Sequence, residues 1–276
     1  MALRSTDRFV LSAEEYLDKN QILVYVEDAV HQLLELKEEN SKINISKFFT
    51  EYFQSVQSGT HTLYREFEFI QKTSHNRASF IHTFWKCYKY IGRNGDLLNV
   101  REYHSLLCIL CANFPLEVVQ RTARIMEDAL NSLMSFADFL FAFQIQFYYC
   151  EFLIECSSVY QRLLNTTMSP REAVVVPSES SSPKQQQRPA AVESHADGID
   201  ANMFLDALKH ACQSVNYSHP AVTCLDDILS SSKRVSFYGF LMALAKSQPV
   251  NAEIGILPAR ADISDDIVFN ENQLKR

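Results

Sequence analysis

The chain has 276 residues and a net charge of −7, with 47% hydrophobic residues, 19 Phe and seven cysteines. That apolar content excludes a wholly disordered chain and suffices for roughly two compact units. The acidic balance makes nonspecific binding to nucleic acid or to an anionic membrane unfavourable.

Met1 to Glu15 has no apolar core of signal-peptide length and carries Asp7, Glu14 and Glu15, so export is not expected. An odd number of cysteines in such a chain points to reduced thiols. From Ile22 to Leu36 apolar residues recur at steps of three and four, including Tyr25, Val26, Ala29, Val30, Leu33 and Leu34. This predicts an amphipathic helix, broken at Asn40 to Asn44. A second helix then carries Ile45, Phe48, Phe49, Tyr52, Phe53 and Val56 on an aromatic stripe. The pair predicts a helical hairpin over 14–60. A hairpin this small cannot bury its apolar area alone, so it must pack on the rest of the chain or on a second copy, as a homodimer.

One helix opening recurs five times: an apolar residue, a polar cap, and an aromatic residue four positions into the helix. The copies begin at Ile43, Leu98, Met134, Ile199 and Val235, with Asn44, Asn99, Ser135, Asp200 and Ser236 as caps. Each predicts a hydrophobic staple on an N-cap. Four copies form two pairs with equal steps of 36 residues, from 98 to 134 and from 199 to 235. That is the step between adjacent EF-hand-type helix-loop-helix units, which predicts one pair within 61–165 and a second over 198–248.

Calcium loops need oxygen ligands at defined positions and a Gly at the sixth. With Leu98, Met134, Ile199 and Val235 at the eighth position, the loops offer Ile91, Arg93 and Gly95, then Glu127, Ala129 and Asn131, then Val192, Ser194 and Ala196, then Ile228, Ser230 and Ser232. None makes a dense carboxylate cage, so a calcium-responsive EF-hand-like switch stands only as an alternative reading, beside that of a generic helical scaffold protein. His104, Cys108 and Cys111 have ligand-like helical spacing but lie in an apolar run and lack a fourth partner, so they read as core. With six glycines there is little room for a phosphate loop or a nucleophile elbow. No catalytic residue, cofactor or metal site is expected, and the chain reads as a binding protein.

Leu133 to Ile154 is the longest apolar region, and Asp138, Gln144, Gln146 and Glu151 interrupt it, so a buried helix is expected there and not a membrane span. Only Pro115 precedes Pro170, which lets the first 165 residues run as helix after helix. The fold class is all-α. Residues 166–197, with four prolines and the Ser178 to Ser182 and Gln185 to Gln187 tracts, have the composition of a disordered linker, and 249–276 reads as a polar tail. Residues 65 to 101 are locally basic: Arg65, Lys72, Arg77, Lys86, Lys89, Arg93 and Arg101 stand against Glu66, Glu68 and Asp96. With Trp85, Tyr88 and Tyr90 they suggest a surface for an acidic peptide such as a tubulin tail, with Lys86, Lys89 and Arg93 as its contacts.

The hairpin resembles the dimerisation and docking domains of cyclic-AMP-dependent kinase regulatory subunits at Tyr25-Val26, Val30 to Leu34, Phe48-Phe49 and Tyr52-Phe53, although its turn, Glu38 to Lys42, lacks their prolines. A longer resemblance runs from about Tyr16 to Lys246. The strings YVEDAVHQLLE, FFTEYFQSVQSGTH, HNRASFIHTFWKC, LMSFADFLFAFQIQFYY and VSFYGFLMALAK, in this order, resemble the centriolar satellite-associated regulators of the tubulin polyglutamylase complex. The resemblance implies a non-catalytic regulator or adaptor in the cytoplasm, at centriolar satellites, the centrosome and the microtubule cytoskeleton of ciliated cells. Its implied partners are polyglutamylase complex subunits, tubulin and microtubules, and satellite scaffold proteins. Phe48, Phe49, Tyr52 and Phe53 are the expected partner-binding residues on the hairpin.

Overall fold

A computed structural model describes residues 12–91, 97–126, 133–167, 198–215 and 217–265. Helices dominate: α1 (Ala13–Lys19), α2 (Ile22–Glu39), α3 (Ile45–Ser58), α4 (Phe67–Gln71), α5 (Ser74–Tyr88), α6 (Val100–Leu110), α7 (Leu116–Met126), α8 (Phe136–Tyr148) and α9 (Cys150–Thr167). After them come α10 (Ala201–Ala211), α11 (Val222–Leu229), α12 (Phe237–Lys246), α13 (Gln248–Ile254) and α14 (Arg260–Asp265). The fold is all-α. None of the described helices is long and apolar enough to cross a membrane.

The five caps form. Asn44, Asn99, Ser135, Asp200 and Ser236 each accept a backbone amide from the first turn of the helix that follows. The aromatic four positions on is fully buried in four of them, as Tyr103, Phe139, Phe204 and Phe240. Cap and staple thus act together, the cap fixing where the helix starts and the buried ring fixing which side faces the core.

The equal spacing has a structural counterpart. Four two-residue strands, β1 (Leu97–Leu98), β2 (Met134–Ser135), β3 (Ile199–Asp200) and β4 (Arg234–Val235), join as two antiparallel ribbons, β1 with β2 and β3 with β4. Leu98 faces Met134 and Ile199 faces Val235, so the residues at equivalent places in the repeats are cross-strand partners. Gly198 is required beside the second ribbon: its φ is +54°, and a Cβ there would lie 2.3 Å from the Val235 carbonyl oxygen.

Two aromatic-rich cores lie on either side of α8. Phe139, Phe143 and Phe147, one turn apart, stack in a ladder whose ring centroids are 5.7 and 5.3 Å apart, and they pack with Phe84, Phe114 and Tyr103. Ala142 and Ile145, on the other side of α8, join Phe152, Cys156, Phe204, Leu225, Phe240 and Leu244 in the second core. A helix with apolar residues on both sides is the form such a shared wall takes, and its Asp138 and Gln144 are paired with Arg260 and Asn251.

The apolar stretch from Leu133 to Ile154, expected to be one buried helix, is two. α8 ends at Tyr149 (φ −99°, ψ 31°) and α9 starts beside it. No proline or glycine marks this break. Tyr149 and Phe152 turn into the second core while Phe147 stays in the first, so packing on two sides sets the change of direction. The stretch after Gln248, expected to be polar, supplies α13 and α14. Val250 is buried in the second core, Leu257 reaches back into the first, and Arg260 pairs with Asp138 of α8. The expected linker at 166–197 lies, beyond Thr167, outside the described residues.

Candidate interaction site

The hairpin forms as α2 and α3, joined through Asn40 to Asn44. α3 closes on Gly59, whose φ of 72° is the left-handed conformation that ends helices. Tyr25, Ala29 and Tyr52 are buried at its centre, with Phe48, Phe49 and Val56 packed around them. The rings of α3 form a chain: Phe48 stacks on Tyr52 at 6.2 Å, Phe49 on Phe53 at 6.3 Å, and Tyr52 meets Phe53 edge-on at 5.3 Å.

Two polar clusters fasten this hairpin to the body. The first centres on Asp28. Both carboxylate oxygens accept from Arg65, and Oδ2 also accepts from Tyr52 at 2.6 Å and from Gln32 at 2.7 Å. Burial works to raise the Asp28 pKa, but the bonds from Arg65 and Tyr52 outweigh it and hold the carboxyl below its usual range. Burial and the Asp28 charge together push the Tyr52 phenol well up, so it stays a donor. The Arg65 guanidinium lies 4.0 Å over the Phe69 ring.

In the second cluster Asn76 Oδ1 accepts from Tyr25 Oη at 2.8 Å and from His61 Nε2 at 2.9 Å, while its Nδ2 donates to the Phe69 carbonyl. Since Tyr25 spends its proton on Asn76, the Thr73 hydroxyl donates to Tyr25, at 2.8 Å. Thr73 Oγ1 also accepts the Asn76 amide and so caps α5. This arrangement assigns His61 the neutral Nε2–H tautomer, stacked on His75 at 5.3 Å. Burial first, then His75 and Arg65, depress its pKa below the usual imidazole value, outweighing the Asn76 bond and the Ser55 carbonyl.

The sign follows from proton linkage. His61 and Asp28 both have lowered folded pKa values, so the unfolded chain binds the extra protons and stability is lost as pH falls. For His61 the loss begins near its unfolded pKa of about 6.5, and for Asp28 near about 3.9. Between pH 7.5 and 5.5 the denaturation midpoint should fall, with one such group contributing a slope of at most about 1.4 kcal/mol per pH unit. His61→Gln keeps a donor toward Asn76 and removes the titration. A midpoint with the same pH dependence in that variant would show that His61 is not the responsible group.

The expected partner-binding residues fall in two places. On α3, Phe48 and Phe49 are half-buried and Phe53 is exposed, whereas Tyr52 is buried and spent on Asp28. At the far end of α5, Lys86 is exposed and Lys89 half-buried, with its Nζ 5.9 Å from the Trp85 ring and 5.3 Å from Tyr90. Arg93 lies outside the described residues. His75, near the start of α5, bonds the Val56 carbonyl of α3 at 2.9 Å, and the lysines lie about 20 Å further along the helix, so the two groups make separate surfaces. Two of the basic residues counted between 65 and 101 are turned inward: Arg65 holds Asp28, and Arg77 forms a bidentate pair with Glu151 of α9 at 2.7 and 2.9 Å. The joining of Asp28 to Arg65 and of Asn76 to Tyr25 and His61 carried no local signal, because those partners lie 15 to 51 residues apart.

His104, Cys108 and Cys111 sit on or at the end of α6, but their polar atoms are used locally. His104 Nε2 donates to the Phe114 carbonyl at 2.7 Å, and the Cys111 thiol is buried, facing Asn113 and pushed up to about 11 by desolvation. No group of three or more His, Cys, Asp or Glu poised for a metal occurs among the described residues. Many positions of the first three loops fall outside those residues, and in the fourth the Ser230 and Ser231 hydroxyls donate to carbonyls of the preceding turn. Beside the β1–β2 ribbon a cleft of about 300 Å³ is lined by Leu97, Met126, Leu133 and Met134 with the polar Ser135, Asp138 and Lys246. Asp138 accepts from Ser135 and Arg260 there, with no histidine or cysteine in the lining.

The CSTPP1 N-terminal domain family matches residues 10–59, the span of α1 to α3. Three curated relatives are each named centriolar satellite-associated tubulin polyglutamylase complex regulator 1. The Rattus norvegicus protein is 50% identical over 97% of this chain and 81% of its own length. The chain belongs to this regulator family. The Homo sapiens member is 48% identical over 97% of the chain and 81% of its own length, and the Danio rerio member 46% over 95% and 79%. No solved structure matches the chain.

Proposed function

We propose that this chain is a non-catalytic regulator of the tubulin polyglutamylase complex, acting as an adaptor for complex subunits at centriolar satellites and microtubules. The observation that carries this is identity of about half the residues over 97% of the chain to regulators of that name. In this reading the hairpin at 14–60 is the docking module, with the α3 rings Phe48, Phe49 and Phe53 over Tyr52 as its contact surface. The helix-loop-helix pairs within 61–165 and over 198–248 form the body that holds it.

The C-terminal end of α5 is the second contact. Lys89 stands beside the Trp85 and Tyr90 rings, Lys86 is exposed three residues before it, and Arg93 follows four residues on in the sequence. Cations backed by aromatic rings suit an acidic peptide, and glutamate-rich tubulin tails have that chemistry. Reversing Lys86, Lys89 and Arg93 to Glu should abolish co-sedimentation with microtubules at low salt while circular dichroism stays unchanged. A folded triple variant that pellets as before would end the tail-binding reading. Capture of polyglutamylase subunits by the tagged chain, in extract held in a calcium chelator, tests the adaptor reading. Failure to recover them, with tubulin glutamylation unchanged on depletion, would end it.

A further inference from the structure

α2 has two apolar faces and only one of them is covered. Tyr25, Ala29 and Leu33 are buried, whereas Leu23, Val26, Val30 and Leu34 keep 50%, 39%, 41% and 57% of their surface exposed. Ile45 and Phe53 on α3 are exposed to 43% and 41%. The clasps at Asp28 and Asn76 secure the covered face to the body, so the uncovered stripe cannot turn inward without breaking both. Together these side chains expose apolar surface on the order of a few hundred Å², the size at which a patch on a monomer marks a contact.

The polarity of the helix says what fits there. α2 starts on Gln21, at φ 52°, with no side-chain cap and no acidic residue in its first turn. Its other end carries exposed Glu38 and Glu39, which face their own helix's negative pole. Both defects are mended at once by an antiparallel copy of the same helix. With Val30 on the twofold axis, Val26 falls opposite Leu34, the stem of Lys37 covers Leu23, and Glu38 falls opposite Ile22, beside the uncapped amides. A stripe that is its own complement on reversal is the mark of an isologous contact.

We propose that α2 pairs antiparallel with α2 of a second copy of this chain about Val30, with Ile45 and Phe53 at the edges. Two such patches bury about 1,000 Å² in total, near the lower end of specific interfaces, so the dimer forms at micromolar concentration. This rests on the reading of the hairpin as a docking module and names its occupant.

The full chain is measured by sedimentation velocity from 1 to 50 µM, where twice the 31.7 kDa chain mass is expected. Val30→Glu should give a monomer with unchanged circular dichroism. If that variant does not fold, the surface pair Glu38→Lys and Glu39→Lys serves, and should weaken the dimer about tenfold. Geometry is read by cysteine pairs: Val26→Cys mixed with Leu34→Cys should form a disulfide mapped to those two peptides, while Val26→Cys alone should not link to itself. A monomer at 50 µM, a dimer indifferent to Val30→Glu, or self-linking of Val26→Cys overturns the proposal. Capture of polyglutamylase subunits is scored with the same variants. If the wild-type chain is monomeric and Val30→Glu loses the subunits, the stripe takes a partner's helix and not a second copy, and the adaptor reading stands without the dimer.

Discussion

Glu151→Ala should destabilise the protein by about 3 kcal/mol, although the carboxylate it removes is 41% exposed. The cost arises on the other side of the pair. Arg77 keeps only 3% of its side chain accessible, and Glu151 takes two of its bonds, leaving the Gln71 carbonyl as the remaining acceptor. Without Glu151 a guanidinium is left inside the protein with too few acceptors, and its Nε is already without one. The double variant Arg77→Met, Glu151→Met removes charge and countercharge together, and should recover most of the loss because apolar side chains of similar volume are tolerated there. Urea unfolding of the two variants and the wild type measures both effects. A double variant no more stable than Glu151→Ala would mean that the pair acts through geometry between α5 and α9 and not through the buried charge.

Phe143→Ala is expected to cost about 3–5 kcal/mol and to lower Tm by roughly 10 °C. Phe143 is fully buried in the middle of the α8 ladder and touches Phe84 and Phe114 as well as Phe139 and Phe147. Truncation opens a cavity among rings that are held from several helices and cannot close over it. Phe143→Leu keeps much of the volume and should cost less than half as much. Because α8 is also a wall of the second core, loss of Phe143 should lower the melting of the whole body in one transition. Two separated transitions, with only the first shifted, would show that the cores melt independently.

The two variants report on different parts of what a sequence conveys. Phe139, Phe143 and Phe147 are spaced at four residues in an apolar run, and that spacing alone places them on one buried face. The partnership of Arg77 with Glu151 has no such local mark, since the residues lie 74 positions apart. Arg77 instead counted toward a basic surface, and so did Arg65, which holds Asp28 across 37 positions. Charge read along a chain measures composition, whereas pairing depends on which helices meet.

What the sequence determined by itself is local. Helix starts were written as five caps with aromatic staples, because a cap is satisfied within three residues and a staple within five. The equal 36-residue steps were legible as a repeat, and it was the structure that showed the equivalent residues facing each other in both ribbons. The helical periodicity of α2 and α3 and the polar break between them were likewise legible. Tertiary structure alone decided the break at Tyr149, the return of Leu257 and Arg260 onto the first core, and the use of Tyr52 as a donor to Asp28. It also decided which apolar stripe of α2 is covered and which is left open. These outcomes rest on side chains that are distant in sequence and compete for the same space and the same hydrogen bonds, and that competition is resolved only when the helices pack.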